Sequence, residues 1–257
     1  MTEQRVLIRR KGPTCTLTLN SPGKMNAIDR DMIQELQAAL GALKFDRDSR
    51  VVILEGAGGH FCAGADLSVL GSGINATEAH AVMTQISGLI SGLRELPQPV
   101  ICKVRGAAYG GGANLALSGD LVVAAHTARI SQVFVNIGLT LDCGGTYFLP
   151  RLVGMARASA LALLGDELDG GTAAEIGLIY KSCADEELDG KVDSLASVLA
   201  QKSPLALSVI KKGLNRSLSM TLNEALEWEA AQQSILLQGE EHKRALLALL
   251  QAKRKKE

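Results

Sequence analysis

Four short, mostly apolar runs, separated by turn-rich or helix-patterned stretches, set the fold class of this chain. Residues 14–19 alternate in the manner of a half-buried strand. Residues 51–54, 100–104 and 121–125 are compact apolar runs with Gly, Pro or Asp close by. A helix pattern lies between the first two: Asp29 is placed to cap it, and Met32, Leu36, Leu40 and Leu43 line one face. A second helix pattern covers 77–93 and stops before Pro97 and Pro99. Strand runs alternating with helices point to α/β architecture. From about residue 144 the texture changes. Helical patterns dominate over 157–164, 172–176, 187–201, 204–214, 222–237 and 241–253, and Pro204 suits a first helical turn.

Length and composition narrow the function classes. The 257 residues, 47% of them hydrophobic, suffice for one large domain or a domain with an appendage. Lys+Arg and Asp+Glu number 27 each, so the basic footprint of a nucleic-acid binder is missing. Cys15, Cys62, Cys102, Cys143 and Cys183 are scattered singly, without the pairing or the histidine spacing of a zinc site. An odd cysteine count and a polar start lead to the expectation of a reducing, cytoplasmic setting. No uninterrupted apolar run reaches the roughly 18 residues of a membrane span, so no membrane partner is expected.

Three glycine-rich segments hold the chemistry. Residues 56–66 contain a Gly-x-Gly, but the third glycine of a dinucleotide fingerprint would fall at Phe61. Residues 106–114 read Gly-Ala-Ala-Tyr-Gly-Gly-Gly-Ala-Asn, a turn into a helix whose free N–H groups can meet a developing negative charge. Two such loops aimed at one point make an oxyanion hole, in which each donor is worth roughly 3 kcal/mol. A thioester suits it, because its carbonyl gathers charge when the α-carbon loses a proton. Asn114 cannot supply proton transfer, since an amide does not exchange protons near neutral pH. The third segment, 137–146, offers Asp142 among Leu141, Cys143, Phe134, Val135 and Phe148. An apolar setting raises a carboxylate's pKa toward acid–base usefulness. Its competing role, and the plainer one, is to cap the helix that follows Gly144. Cys143, His60 and Cys62 read as packing residues, and Trp228 as core or subunit interface.

Together, 61–67 (Phe-Cys-Ala-Gly-Ala-Asp-Leu), Gly110-Gly-Gly112 and the Gly-Gly-Thr…Leu-Pro-Arg-Leu-Val-Gly of 144–154 resemble the crotonase (enoyl-CoA hydratase/isomerase) superfamily, as does the turn at 20–27. The resemblance implies a crotonase (ClpP-like) spiral of ββα turns over 1–198. A helical region over 199–257 would build a homo-trimer or a dimer of trimers. It implies an acyl-CoA substrate and no separate cofactor, coenzyme A being part of the substrate. Ala65 and Gly111 fall at the two oxyanion donors. Lys24, Asn26, Ala27 and Ala63 fall in the coenzyme A loop, Asp66 and Leu67 follow the first donor, and Lys253 resembles a basic position near the coenzyme A phosphates. The two glutamates of typical hydratases correspond here to Asn114 and Phe134, the latter an aromatic wall of the acyl site.

That pattern, with Asp142, resembles the 1,2-epoxyphenylacetyl-CoA isomerases of phenylacetate degradation, although Thr140-Leu-Asp-Cys departs from their sequence. It implies an isomerase in which Asp142 shuttles one proton and Asn114 orients substrate. A hydratase with non-standard acid–base residues and a non-catalytic coenzyme A-binding relative are the alternatives. An RNA-binding relative is disfavoured, because the helix at 29–44 has a single lysine.

Overall fold

The computed structural model describes residues 3–66 and 74–254, with backbone alone at Leu249 and 252–254. The N-terminal hairpin β1 (Val6–Lys11) and β2 (Thr14–Leu19) leads through a 3-10 turn to α1 (Arg30–Leu43) and β3 (Val51–Gly56). Then come α2 (Ala76–Glu95), β4 (Val100–Val104), β5 (Ala107–Tyr109) and α3 (Gly111–Leu117). Next are β6 (Leu121–Ala125), β7 (Arg129–Ser131), α4 (Gly145–Leu164), β8 (Glu167–Asp169), α5 (Gly170–Glu175) and β9 (Lys181–Cys183). The chain ends in α6 (Leu188–Ala200), α7 (Pro204–Ser217), α8 (Leu222–Leu236) and α9 (Glu240–Arg254).

The large sheet runs β1-β2-β3-β4-β6-β9, antiparallel at the hairpin and parallel from β2 onward. A small sheet, β5-β7-β8, stands beside it. The two sheets share a repeat. β4 is followed by short β5 and helix α3, and β6 by short β7 and helix α4. β3 is followed by Cys62, which bridges in parallel to Ala108 of β5, and then by α2. Three successive turns of a ββα spiral result. In each, the chain leaves a long strand, touches the small sheet and enters a helix.

The local causes are plain. Asp29 caps α1 by accepting from the Met32 amide at 2.8 Å, and Met32, Leu36, Leu40 and Leu43 are buried on its inner face. Asn75 and Glu78 form a capping box that starts α2. Leu17 and Leu54 on one face of the sheet and Ile101 on the other are completely buried. Each such side chain contributes about 2 kcal/mol of apolar burial.

Helix α4 departs from the sequence expectation in two ways. It starts at Gly145 rather than 157, because Gly144-Gly-Thr and Pro150 read as loop although Pro150 is accommodated inside the helix. It is also long and apolar enough to cross a membrane by length and composition, contrary to the absence of such a segment expected from unbroken runs. The average over the helix tolerates Arg151 and Arg157. The helix is also broken at Gly154 (φ 75°, ψ 164°) into two arms.

The C-terminal helices pack differently from the spiral. α7 is pinned by Lys211, which is 8% exposed. Its ammonium donates to the carbonyls of Leu93 (3.0 Å) and Gln98 (3.1 Å) and pairs with Asp120 at 2.7 Å. Burial lowers its pKa, and Asp120 opposes that shift. Trp228 of α8 is half-buried against Gly213 of α7, with its ring 2.6 Å from where a Cβ would stand. α8 has no fully buried residue, and Leu222, Leu226, Leu246, Leu247 and Leu250 of α8 and α9 are exposed. A cleft of about 840 Å³ lies between these helices and the end of α1, lined by Phe45, Gln98, Leu205 and Leu237 among others. It holds none of the glycine-rich segments.

Candidate active site

The three spiral turns bring three sequence-distant positions together. Ala65, Gly111 and Asp142 each follow a contact with the small sheet and precede a helix. The first two lie on loops that interlock too closely for side chains. A Cβ on Gly112 would sit 2.2 Å from the Cys62 carbonyl. Gly64 has φ +93°, and a Cβ there would stand 2.9 Å from the Tyr109 carbonyl and 3.5 Å from the Gly111 nitrogen. Gly110, at φ 52° and ψ −120°, adopts a backbone that only glycine takes without strain. Cys62 accepts from the Tyr109 amide at 3.0 Å, and Ile28 from the Asp66 amide at 3.0 Å. These bonds leave the amides of Ala65 and Gly111 without a protein acceptor among the described residues. Two unclaimed N–H groups on adjacent rigid loops can hold an oxyanion.

Asp142 stands beside the second of them. Its Oδ1 is 3.3 Å from the point where a Gly111 Cβ would lie, and the Cys143 sulfur is 3.2 Å from the same point. That oxygen is buried and has no hydrogen-bond partner among the described residues. Burial raises the carboxyl pKa, with the Cys143 thiol partly opposing the shift. The capping role expected from sequence is not what the side chain does. The N-cap of α4 is Gly144 with no side-chain cap bond, and the Gly145 amide meets the backbone carbonyl of Asp142 instead, at 2.8 Å. Cys143 takes φ +50°, unusual for a residue with a side chain, and Gly144 follows at +82°. The Cys143 thiol is buried, and burial raises its pKa, which favours the uncharged thiol.

Asn114 is fully buried. Its Nδ2 donates to the Asp142 carbonyl at 2.9 Å, and its Oδ1 accepts from Gln132 Nε2 at 3.0 Å. In these bonds the amide holds the backbone of Asp142, a role the sequence did not show. Gln132 was not legible as a site residue, since nothing in its local sequence marks it. Phe134, 6% exposed, sets its ring edge 3.5 Å from the Cβ position of Gly110 and so walls the same turn.

The loop expected to meet coenzyme A is built around a knot. Asn26 is fully buried; its Oδ1 accepts from the Ser21 amide at 2.9 Å, and its Nδ2 donates to the carbonyls of Ala57 (2.8 Å) and His60 (2.7 Å). These three bonds are structural and tie the loop together. Met25 and Asn26 take φ 49° and 56°, and the knot holds them there. Ala27 is buried and Ala63 half-buried, with the Ala63 amide donating to Met25 at 2.9 Å. Lys24 is exposed and pairs with the buried Asp66 carboxylate at 2.6 Å, which ties this loop to the first oxyanion loop. His60 accepts from the Ala107 amide through Nδ1 at 3.1 Å, a packing role. Leu67 lies outside the described residues. Lys253 falls near the end of α9, at a position described by its backbone alone.

Comparison with known proteins gives the family of the chain. Residues 9–256 match the family profile described as enoyl-CoA hydratase/isomerase. The chain is 38% identical over 238 residues to the 1,2-epoxyphenylacetyl-CoA isomerase of Escherichia coli, with 91% of each covered. It is 32% identical to the short-chain-enoyl-CoA hydratase of Clostridium acetobutylicum, covering 97% of this chain and 95% of the relative. Among solved structures, the enoyl-CoA hydratase of Bacillus anthracis superposes with a TM-score of 0.93 at 28% identity, with 97% of each chain covered.

Proposed function

The chain belongs to the enoyl-CoA hydratase/isomerase family and has the crotonase fold, and we propose that within the family it is an acyl-CoA isomerase with Asp142 as its single proton shuttle. The observation that carries this reading is the pairing of a buried, unpartnered Asp142 oxygen with the unclaimed Gly111 amide beside it. In the proposed reaction the thioester oxygen sits between the N–H groups of Ala65 and Gly111. Asp142 takes the α-proton, the C–H electrons move into the thioester carbonyl, and the oxyanion forms where the amides wait. The same carboxyl returns the proton to the γ-carbon, turning a β,γ double bond into an α,β one. The identity to the Escherichia coli relative supports a second variant, rearrangement of a ring epoxide as in phenylacetate degradation.

Water addition is disfavoured by what occupies the other two acid positions. Asn114 is buried and spoken for, and Phe134 is apolar. A hydratase reading has the support of the Clostridium relative's name. Incubation with 2-enoyl-, 3-enoyl- and aromatic-ring CoA thioesters separates the readings. An isomerase leaves the mass unchanged and moves the double bond in the NMR spectrum; a gain of one water from a 2-enoyl-CoA at comparable rate overturns the proposal. The exposed leucines of α8 and α9 support the companion proposal that the protein works as a trimer or a dimer of trimers. A sedimentation mass equal to one chain would refute it.

A further inference from the structure

We propose that Gln132 is a positioning residue of this site, which acts through Asn114 to hold the Asp142 turn, and with it the carboxylate, against the Gly111 amide. The inference rests on the reading of Asp142 as the proton shuttle. An asparagine amide has nearly the same shape in its two flipped orientations, so its hydrogen-bond partners decide which is present. The Asp142 carbonyl can only accept, which requires Asn114 to present Nδ2 to it. That in turn directs Oδ1 at Gln132, whose Nε2 meets it at 3.0 Å. The flipped amide would set oxygen against oxygen at Asp142. Gln132 therefore satisfies the oxygen that the working orientation turns away from Asp142, and so reinforces that orientation.

Two features show that the arrangement is maintained at a cost. The Oε1 of Gln132 is buried without a partner among the described residues, and Gln132 itself is only 2% exposed. Native proteins leave few such atoms unpaired. The turn being held is also unfavourable in itself at Cys143, which takes a positive φ, and such backbone persists only where its surroundings over-determine it. The Asp142 carbonyl receives two donors, Asn114 Nδ2 and the Gly145 amide. Gly145 makes room for the first: a Cβ there would stand 2.6 Å from Nδ2. Gln132 is itself fixed at the end of β7. Its neighbour Ser131 accepts from the Gly110 amide at 2.9 Å and donates through Oγ to Gly165 at 2.9 Å. The base is thus braced from the same small-sheet strand that supports the second oxyanion loop.

The test follows exchange of the α-hydrogens of butyryl-CoA in D2O by mass spectrometry, with the Asp142→Asn, Gln132→Met and Gln132→Glu variants. Gln132→Met keeps the length and removes the donor. It should lower the exchange kcat about tenfold to a hundredfold with KM within about twofold, as expected for a displaced catalytic group. In an Asn114→Ala background the same change should add almost nothing, because the link is already cut. An ionised Gln132→Glu side chain cannot donate to Asn114, but a protonated one can. Its rate relative to wild type should therefore rise as pH falls, which a general packing defect would not produce. Wild-type kcat in Gln132→Met, or a pH-independent ratio for Gln132→Glu, overturns the brace alone, provided Asp142→Asn has lost exchange. Exchange that survives in Asp142→Asn overturns the shuttle reading and the brace with it.

Discussion

The knot around Asn26 and the pocket beside Gly111 are built from the same materials, glycine-rich loops and buried amides, yet they are finished to different degrees. Around Asn26, the side-chain oxygen and nitrogen both have backbone partners, three in all. Around Gly111, the amides of Ala65 and Gly111 and the Oδ1 of Asp142 have none among the described residues. A buried polar group left unpaired costs about 1–3 kcal/mol, so a protein that can satisfy one loop and leaves its neighbour open has a use for the open one. The contrast separates residues that hold the loops from residues that meet a substrate.

The largest effect should come from breaking the open side. Asp142→Asn is expected to lower kcat by about a thousandfold or more with little change in KM, since positioned acid–base groups contribute on this scale. Turnover and binding measured on the isomerised substrate check it. Breaking the closed side should do the reverse. Asn26→Ala strands the Ser21 amide and the carbonyls of Ala57 and His60, and should cost about 3 kcal/mol of stability in denaturant titration. The activity of the molecules still folded should change far less than in Asp142→Asn.

The pH dependence sharpens the comparison. Burial holds the Asp142 pKa above its ordinary 3.8, and the proposed base must be ionised. Isomerase kcat/KM should therefore rise with pH through a value higher than 3.8 and then level off, with no alkaline fall from a second catalytic carboxyl. A bell-shaped profile would indicate an acid partner and count against a single shuttle.

The smallest effect concerns stability. Because the native pKa is raised, the folded chain binds a proton more tightly than the unfolded chain. Wild type thus loses stability as pH rises from 3.8 through the native value. Asp142→Asn should escape that loss. It should match wild type in acid and exceed it at neutral pH, in thermal or chemical unfolding. A variant less stable than wild type at neutral pH would place Asp142 with the holding residues.

Sequence periodicity reached the long elements. β2, β3, β4 and β6, the Asp29 cap and the C-terminal helices fall where apolar spacing puts them. It did not reach β5, β7, β8 and β9, because three residues are too few to display alternation. The start of α4 was hidden by glycines and a proline that usually end helices. In the site, the glycines and Asp142 were visible because their chemistry is unusual in its local setting. The roles of Asn26 and Asn114 were not, since only tertiary contacts reveal which backbone groups a side-chain amide holds. Gln132 was invisible for the same reason: its partner lies 18 residues away.

The ββα repeat has a consequence for how such a site can change over time. Each of its three parts sits on its own turn of the spiral: the first amide after β3, the second after β5, the carboxyl after β7. The turns are joined by backbone pairing that does not depend on which side chain stands at position 142. A new proton carrier can therefore be tried on one turn while the two amides on the others stay in register. The fold separates inheritance of the charge-holding cradle from innovation in the group that moves the proton.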